Sequence, residues 1–288
     1  MTKQGIIIAS FGSVYQDAVE KSIGAMESKV KSIYGDVSIR RVFLSDALVE
    51  KWNEKYDTRV MTLQEALQSL RSEDIEEVYI QPFALVSDQC YQQMRKQVMK
   101  MIHTREYGFT QIAVGKPLLT SLGVKNYADD YTATIEAIVK HVSTKAIDKA
   151  IVLMANGQNQ LEFSALQLKC LYGAAPNMVV FTANGFPNFK QALHILNRIS
   201  YQDILVVPLA LIGSTHLMDY LGGDRSDSIY ALLTEEGYSV SIWNEGLGEN
   251  PYIQELFLKH LSQTMRMAER RRSACKSEDS VASVRSLA

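Results

Sequence analysis

Eight short runs rich in β-branched and apolar residues recur along the chain, each ended by Gly, Pro, Ser or Asn, and this recurrence constrains the fold more than any other feature. The runs are 5–10, 37–43, 77–86, 111–115, 149–155, 178–183, 204–212 and 239–243. Between them, segments such as 15–34, 63–70, 89–104, 127–142, 161–171, 189–198 and 252–267 repeat apolar residues at three- and four-residue intervals, the period of an amphipathic helix. A strand that is apolar along its whole length is buried on both faces, and strands joined by helices form parallel sheets. The expected fold class is therefore α/β.

The pattern occurs twice. Gln81-Pro82-Phe83-Ala84-Leu85-Val86-Ser87 overlays Val207-Pro208-Leu209-Ala210-Leu211-Ile212-Gly213 at a shift of 126 positions, with Pro, Ala and Leu identical. Ile6 to Gly12 overlays Ile151 to Gly157 at a shift of 145. Two related four-strand halves follow, with residues 1–144 as the N-terminal lobe, 145–272 as the C-terminal lobe and 273–288 as a Ser-rich segment without a clear period, read as a disordered tail. The basic run at Arg270-Arg271-Arg272 reads as the solvated C-terminus of the last helix.

Composition narrows the function. A net charge of −2, from 30 Lys and Arg against 32 Asp and Glu, argues against a nucleic-acid partner, which needs a basic excess on one face. Three cysteines without CxxC spacing exclude a cysteine-based zinc site and make a secreted disulfide framework a poor description. The longest apolar stretch, 204–212, is interrupted by Pro208 and is far short of a transmembrane span, so a cytoplasmic protein is expected.

In open α/β sheets, ligands bind beyond the carboxyl ends of the strands. The segments there are Ser10-Phe11-Gly12-Ser13, Asn156-Gly157-Gln158-Asn159, Asn184-Gly185-Phe186-Pro187 and Gly213-Ser214-Thr215-His216. None has a phosphate-cradling glycine spacing, so no nucleotide is expected. His216 is the one histidine of five at a strand's carboxyl end, and a ligand or acid/base role is favoured for it. His103, His141, His194 and His260 fall within helical patterns and are read as surface or packed residues. No GxSxG elbow supports a serine nucleophile at Ser10 or Ser13.

Taken together, Ser10-Phe11-Gly12-Ser13-Val14-Tyr15, Gly115-Lys116-Pro117-Leu118-Leu119-Thr120-Ser121, the strand leading to His216, and Gly246-Leu247-Gly248-Glu249-Asn250-Pro251 followed by Phe257 and His260 resemble the anaerobic sirohydrochlorin cobaltochelatases, among the class II chelatases. The resemblance spans residues 6–267. It implies two flavodoxin-like lobes, each a four-stranded parallel sheet flanked by helices, with a tetrapyrrole cleft between them. It also implies insertion of Co²⁺, as substrate metal, into sirohydrochlorin during cobalamin synthesis. The acidic periphery of the macrocycle would be held by Lys, Arg and backbone N–H groups. The substrate-facing candidates are Phe11, Gly12, Ser13 and Tyr15, with Ser87, Asp88, Gln89 and Cys90. Cys90 overlays His216 in the internal repeat.

The family metal site comprises two His and one Glu. Here the matching positions are Asn156, Asn184 and His216, which are the metal-binding and catalytic candidates. An imidazole or carboxylate can accept the pyrrole protons that metalation releases, whereas an amide can offer a metal only a weak neutral oxygen. Glu162, Asp219, Asp224 and Glu245 are candidate substitutes. Three readings stand in this order: a chelatase; a non-catalytic binder of haem or sirohydrochlorin with His216 as axial ligand to iron; and an interaction protein on the same scaffold. A homo-oligomer is compatible with each.

Overall fold

The computed structural model describes residues 3–104, 107–125, 127–155, 157, 159–173, 175–213, 221–222 and 227–285, with side chains through residue 273. Its eight strands are β1 (Gln4–Ser10), β2 (Ser38–Phe43), β3 (Glu77–Pro82), β4 (Gln111–Val114), β5 (Ala150–Ala155), β6 (Met178–Thr182), β7 (Asp203–Pro208) and β8 (Ser239–Ile242). They form two parallel four-stranded sheets of order β2-β1-β3-β4 and β6-β5-β7-β8. The helices are α1 (Gln16–Val19), a π turn (Glu20–Gly24), α2 (Ala25–Tyr34), α3 (Asp46–Lys55), α4 (Leu63–Ser72), α5 (Gln89–Thr104), α6 (Asp130–Val142), α7 (Gln160–Tyr172), α8 (Phe189–Leu196), α9 (Ile229–Glu235) and α10 (Pro251–Arg285). All eight expected strands are present. β3 and β7 stop at Pro82 and Pro208, earlier than their apolar runs, because proline has no N–H to continue the ladder. Helices α3 and α9 were not among the expected helices.

The two sheets repeat each other hydrogen bond by hydrogen bond. Phe83 N donates to Ala9 O at 2.6 Å, as Leu209 N does to Met154 O at 2.7 Å. Gly115 N donates to Ile80 O and Trp243 N to Val206 O, both at 2.8 Å. Leu119 N reaches Leu85 O and Gly248 N reaches Leu211 O, again both at 2.8 Å. The shifts of 126 and 145 positions thus hold in the backbone of the first and third strands of each sheet, while the donors beyond the fourth strands are shifted by 128, from Gly115 to Trp243, and by 129, from Leu119 to Gly248.

Alternate residues of each central strand serve different cores. Ile6 and Ile8 of β1, and Ile151 and Leu153 of β5, face one continuous core shared by both lobes, while Ile7, Ala9 and Val152, Met154 face separate outer cores. The shared core is closed by two exchanged helices. Helix α10 follows the second sheet but packs on β3 and β4 of the first through Ile253, Phe257, Leu261 and Met265, a stripe at four-residue spacing. Helix α6 follows the first sheet and packs on α7. Asn250 Nδ2, just before α10, donates to Ala137 O of α6 at 2.9 Å.

The backbone of α10 runs helical to Arg285, with no Gly or Pro after its first residue to interrupt it. One expectation changes here. The basic run is not wholly solvated: Arg272 pairs with Glu77, a carboxylate fully buried at the start of β3 that also accepts from Gln4 Nε2 at 3.0 Å and Tyr79 Oη at 2.9 Å. No helix among the described residues is long and apolar enough to cross a membrane.

Candidate functional site

The order of each sheet reverses at its centre, between β1 and β3 and between β5 and β7, and the loops leaving those strands diverge to form a crevice. A cavity of about 340 Å³ occupies this place, lined from the first lobe by residues 9–12, 44, 82–86, 88, 90 and 91, and from the second by Asn159, Phe163 and residues 209–212. Gly12 turns the chain there at φ 106°, and a Cβ on it would stand 2.7 Å from the Phe43 ring, so the turn requires glycine. On the facing side, a Cβ on Gly248 would meet Leu211 O at 2.5 Å and Phe83 Cζ at 2.7 Å. That close approach lets the lobes meet beneath the cavity, where the Phe83 and Phe257 rings lie 4.8 Å apart.

Of the eight candidate substrate-facing residues, Phe11, Gly12, Asp88 and Cys90 line the cavity. Phe11 is an exposed aromatic ring. Ser13, Tyr15, Ser87 and Gln89 stand beside it without lining it: Ser13 Oγ accepts from Tyr15 N at 3.2 Å, and Ser87 Oγ accepts from Gln92. Asp88 Oδ1 accepts from Tyr91 N at 2.8 Å, which caps the start of α5. Burial, with the nearby Asp88 charge, pushes the Cys90 thiol up to about 11, so it is a neutral group at physiological pH. Asp88 is the one charged side chain among the described lining residues, so the expected Lys and Arg contacts to an acidic periphery are not part of this lining.

Asn156 and His216 lie outside the described residues, as do Asp219 and Asp224. Asn184 is exposed in the turn after the edge strand β6, where Thr182 N donates to Pro187 O at 2.7 Å across a cis Phe186–Pro187 bond. Glu162 stands in the first turn of α7. Glu245 accepts from His141 Nε2 at 2.9 Å and does not line the cavity. Among the described residues, no three His, Cys, Asp or Glu side chains gather to hold a metal ion.

Two features were not found from the sequence. Ser10, read there as part of a strand-end motif but not as a substrate-facing residue, lines the cavity with its Oγ buried and without a partner among the described residues. Its position at the end of β1 was the available signal. The second is a buried cluster in which Asp130 accepts from Lys116 Nζ at 2.7 Å, Ser121 N at 2.9 Å and His260 Nε2 at 3.1 Å, tying the β4 loop, α6 and α10 together. Burial alone would raise the Asp130 carboxyl, but the bonds from His260 and Lys116 outweigh it and hold the group below the usual carboxylate range.

The family model of the cobalt chelatases, CbiK, matches residues 4–266, nearly the whole chain. The chain belongs to the cobalt chelatase family. A sirohydrochlorin cobaltochelatase of Salmonella typhimurium is 25% identical over 274 residues, covering 92% of this chain and 98% of that protein. The sirohydrochlorin cobaltochelatase CbiKC of Nitratidesulfovibrio vulgaris is 24% identical over 265 residues, covering 91% and 90%. Among solved structures, the sirohydrochlorin chelatase SirB of Bacillus subtilis in complex with cobalt superposes with a TM-score of 0.61 at 15% identity, over 94% of this chain and 98% of that one. SirB with Fe³⁺ gives 0.62 at 14%, over 91% and 96%. This likeness supports the two-lobed chelatase fold. In this member of the cobalt chelatase family, the cavity lies where the two switch points face each other.

Proposed function

We propose that the protein inserts a divalent metal into a tetrapyrrole held between its lobes, with Co²⁺ and sirohydrochlorin as the substrates, in the cytoplasm and in the service of anaerobic cobalamin synthesis. The observation that carries this reading is the family match over residues 4–266, joined to a cavity at the carboxyl ends of both central strand pairs. The carboxyl-end loops of the second lobe carry His216, Asn156 and Asn184, the residues proposed to meet the metal. His216 supplies the one imidazole that can both ligate the ion and accept a pyrrole proton. The two amides supply neutral oxygens.

The test is an absorbance titration of sirohydrochlorin and Co²⁺ with the purified protein against a protein-free control. Insertion above background that falls by about two orders of magnitude in His216→Ala is expected, the scale typical of losing a positioned general base. Absence of insertion sinks the reading. Asn156 and Asn184 favour a second one, in which proton removal has been lost and the cleft holds a finished metallo-tetrapyrrole such as haem, with His216 on the iron. A haem Soret shift abolished by His216→Ala, without metal insertion, selects it. A large gain of insertion in Asn156→His with Asn184→Glu would identify the site as a degenerate chelatase site.

A further inference from the structure

Ser10 ends β1 at the floor of the cavity, with 1% of its surface exposed and its Oγ without a hydrogen-bond partner among the described residues. A buried hydroxyl left unpaired is destabilising, so a fold retains one only for a reason. The fold itself supplies none. At the equivalent register of the second sheet stands Ala155, and the backbone at both positions does the same work: Ser10 O accepts from Leu44 N at 2.8 Å and Ala155 O from Ala183 N at 3.0 Å. Alanine serves this strand end in one lobe, and the hydroxyl is added in the other.

Its surroundings define the group it would meet. The nearby polar lining includes the Asp88 carboxylate, the neutral Cys90 thiol and the Asn159 amide. A negative charge in a half-enclosed site disfavours a ligand carboxylate and favours a hydrogen-bond donor. Resting on the tetrapyrrole reading above, we propose that Ser10 Oγ accepts a hydrogen bond from a pyrrole N–H of the metal-free macrocycle, orienting it from the first lobe. Ser10 is then a positioning residue that distinguishes the free base, which carries N–H groups, from the metal complex, which has none. Metal insertion removes the partner of Ser10 and weakens the hold on the product.

The experiment measures binding of sirohydrochlorin and of mesoporphyrin, each as free base and as its zinc complex, to the wild-type protein and to Ser10→Ala, with a thermal melt of both proteins. The expected result is an unchanged or raised melting temperature in Ser10→Ala, about fivefold weaker binding of the free base, as for one net hydrogen bond, and unchanged binding of the zinc complex. Equal weakening of both forms would overturn the proposal, since it would place Ser10 against the periphery. Unchanged binding of both, or a lowered melting temperature with unchanged free-base binding, would overturn it as well. Wild-type protein that binds neither macrocycle in either form would instead remove the tetrapyrrole reading itself.

Discussion

The two lobes share a backbone plan and differ in what their matched positions carry. At the start of the third strand of each sheet stands an acid, Glu77 in the first lobe and Asp203 in the second, at the 126-residue shift of the repeat. Glu77 is fully buried and paired with Arg272, whereas Asp203 is exposed. Further along the same strands, Gln81 matches Val207, and at the end of the first strand Ser10 matches Ala155. The first lobe therefore carries buried polar groups where the second is apolar. The cause at Glu77 is the exchange of helices: α10 lies across β3 and β4 and brings its own cation. The lesson is that a repeated sheet does not imply repeated burial, because the covering elements come from elsewhere in the chain.

The largest effect that separates the lobes should come from this acid pair. Removing the guanidinium in Arg272→Ala leaves a carboxylate buried and deprived of its counter-charge, at a cost of about 3 kcal/mol. Asp203→Ala, at the matched exposed position, should change stability by no more than about 0.5 kcal/mol. Chemical denaturation of both variants checks the contrast. Combining Arg272→Met with Glu77→Gln should restore most of the loss, because the charge itself is then gone. If Arg272→Ala proves as mild as Asp203→Ala, then α10 does not anchor on β3 through this pair.

A second contrast concerns the glycines that end the matched first strands. Gly12 sits at φ 106° with the Phe43 ring 2.7 Å from where a Cβ would be, while among the described residues a Cβ on Gly157 would meet only Asn159 Nδ2, at 3.7 Å. Phe43 cannot yield, being buried edge-on against Trp52 at 5.4 Å. Gly12→Ala should cost about 2 kcal/mol, from backbone strain and overpacking together, and Gly157→Ala less than about 1 kcal/mol. Melting temperatures of the two single variants measure the difference. Equal effects would mean that the loops leaving β1 and β5 are conformationally alike, and the sequence overlay of Phe11-Gly12 with Asn156-Gly157 would extend to the loops.

These contrasts also show what could be read in advance. The strands were legible because burial on both faces forces continuous apolar runs, and the repeat was legible because Pro82 and Pro208 end equivalent strands. The family was legible in the loops, since their glycines and prolines answer to backbone geometry that substitution would strain. The helix exchange was not, because α6 and α10 have the apolar stripes of any amphipathic helix and a stripe does not name the sheet it covers. For the same reason Arg272 read as a solvated cation and His260 as an unremarkable packed residue. Ser10 was passed over because a hydroxyl at a strand end is ordinary until its Oγ is seen to lack a partner.

The smallest of the three effects is expected at Asp130, which binds the exchanged helices α6 and α10 to each other through His260. Its carboxyl is held below the ordinary carboxylate range chiefly because the His260 and Lys116 bonds exceed the penalty of burial. A carboxyl with a lowered folded-state pKa binds its proton more readily in the unfolded chain. Its contribution to stability is therefore complete above the unfolded value of roughly 4 and fades as pH falls through the lower folded value. Asp130→Asn keeps an acceptor for one neighbour but loses the charge, and should cost about 1–2 kcal/mol at pH 7. The difference between wild type and variant should then narrow as pH is lowered below about 4, because protonation removes from the wild type what the substitution has already removed from the variant. Urea midpoints for both proteins at pH 7, 4 and 3 provide the measurement. A difference that stays constant, or widens, toward pH 3 would show that the three-way junction is held by packing of Ile253 and Phe257 rather than by the charge on Asp130.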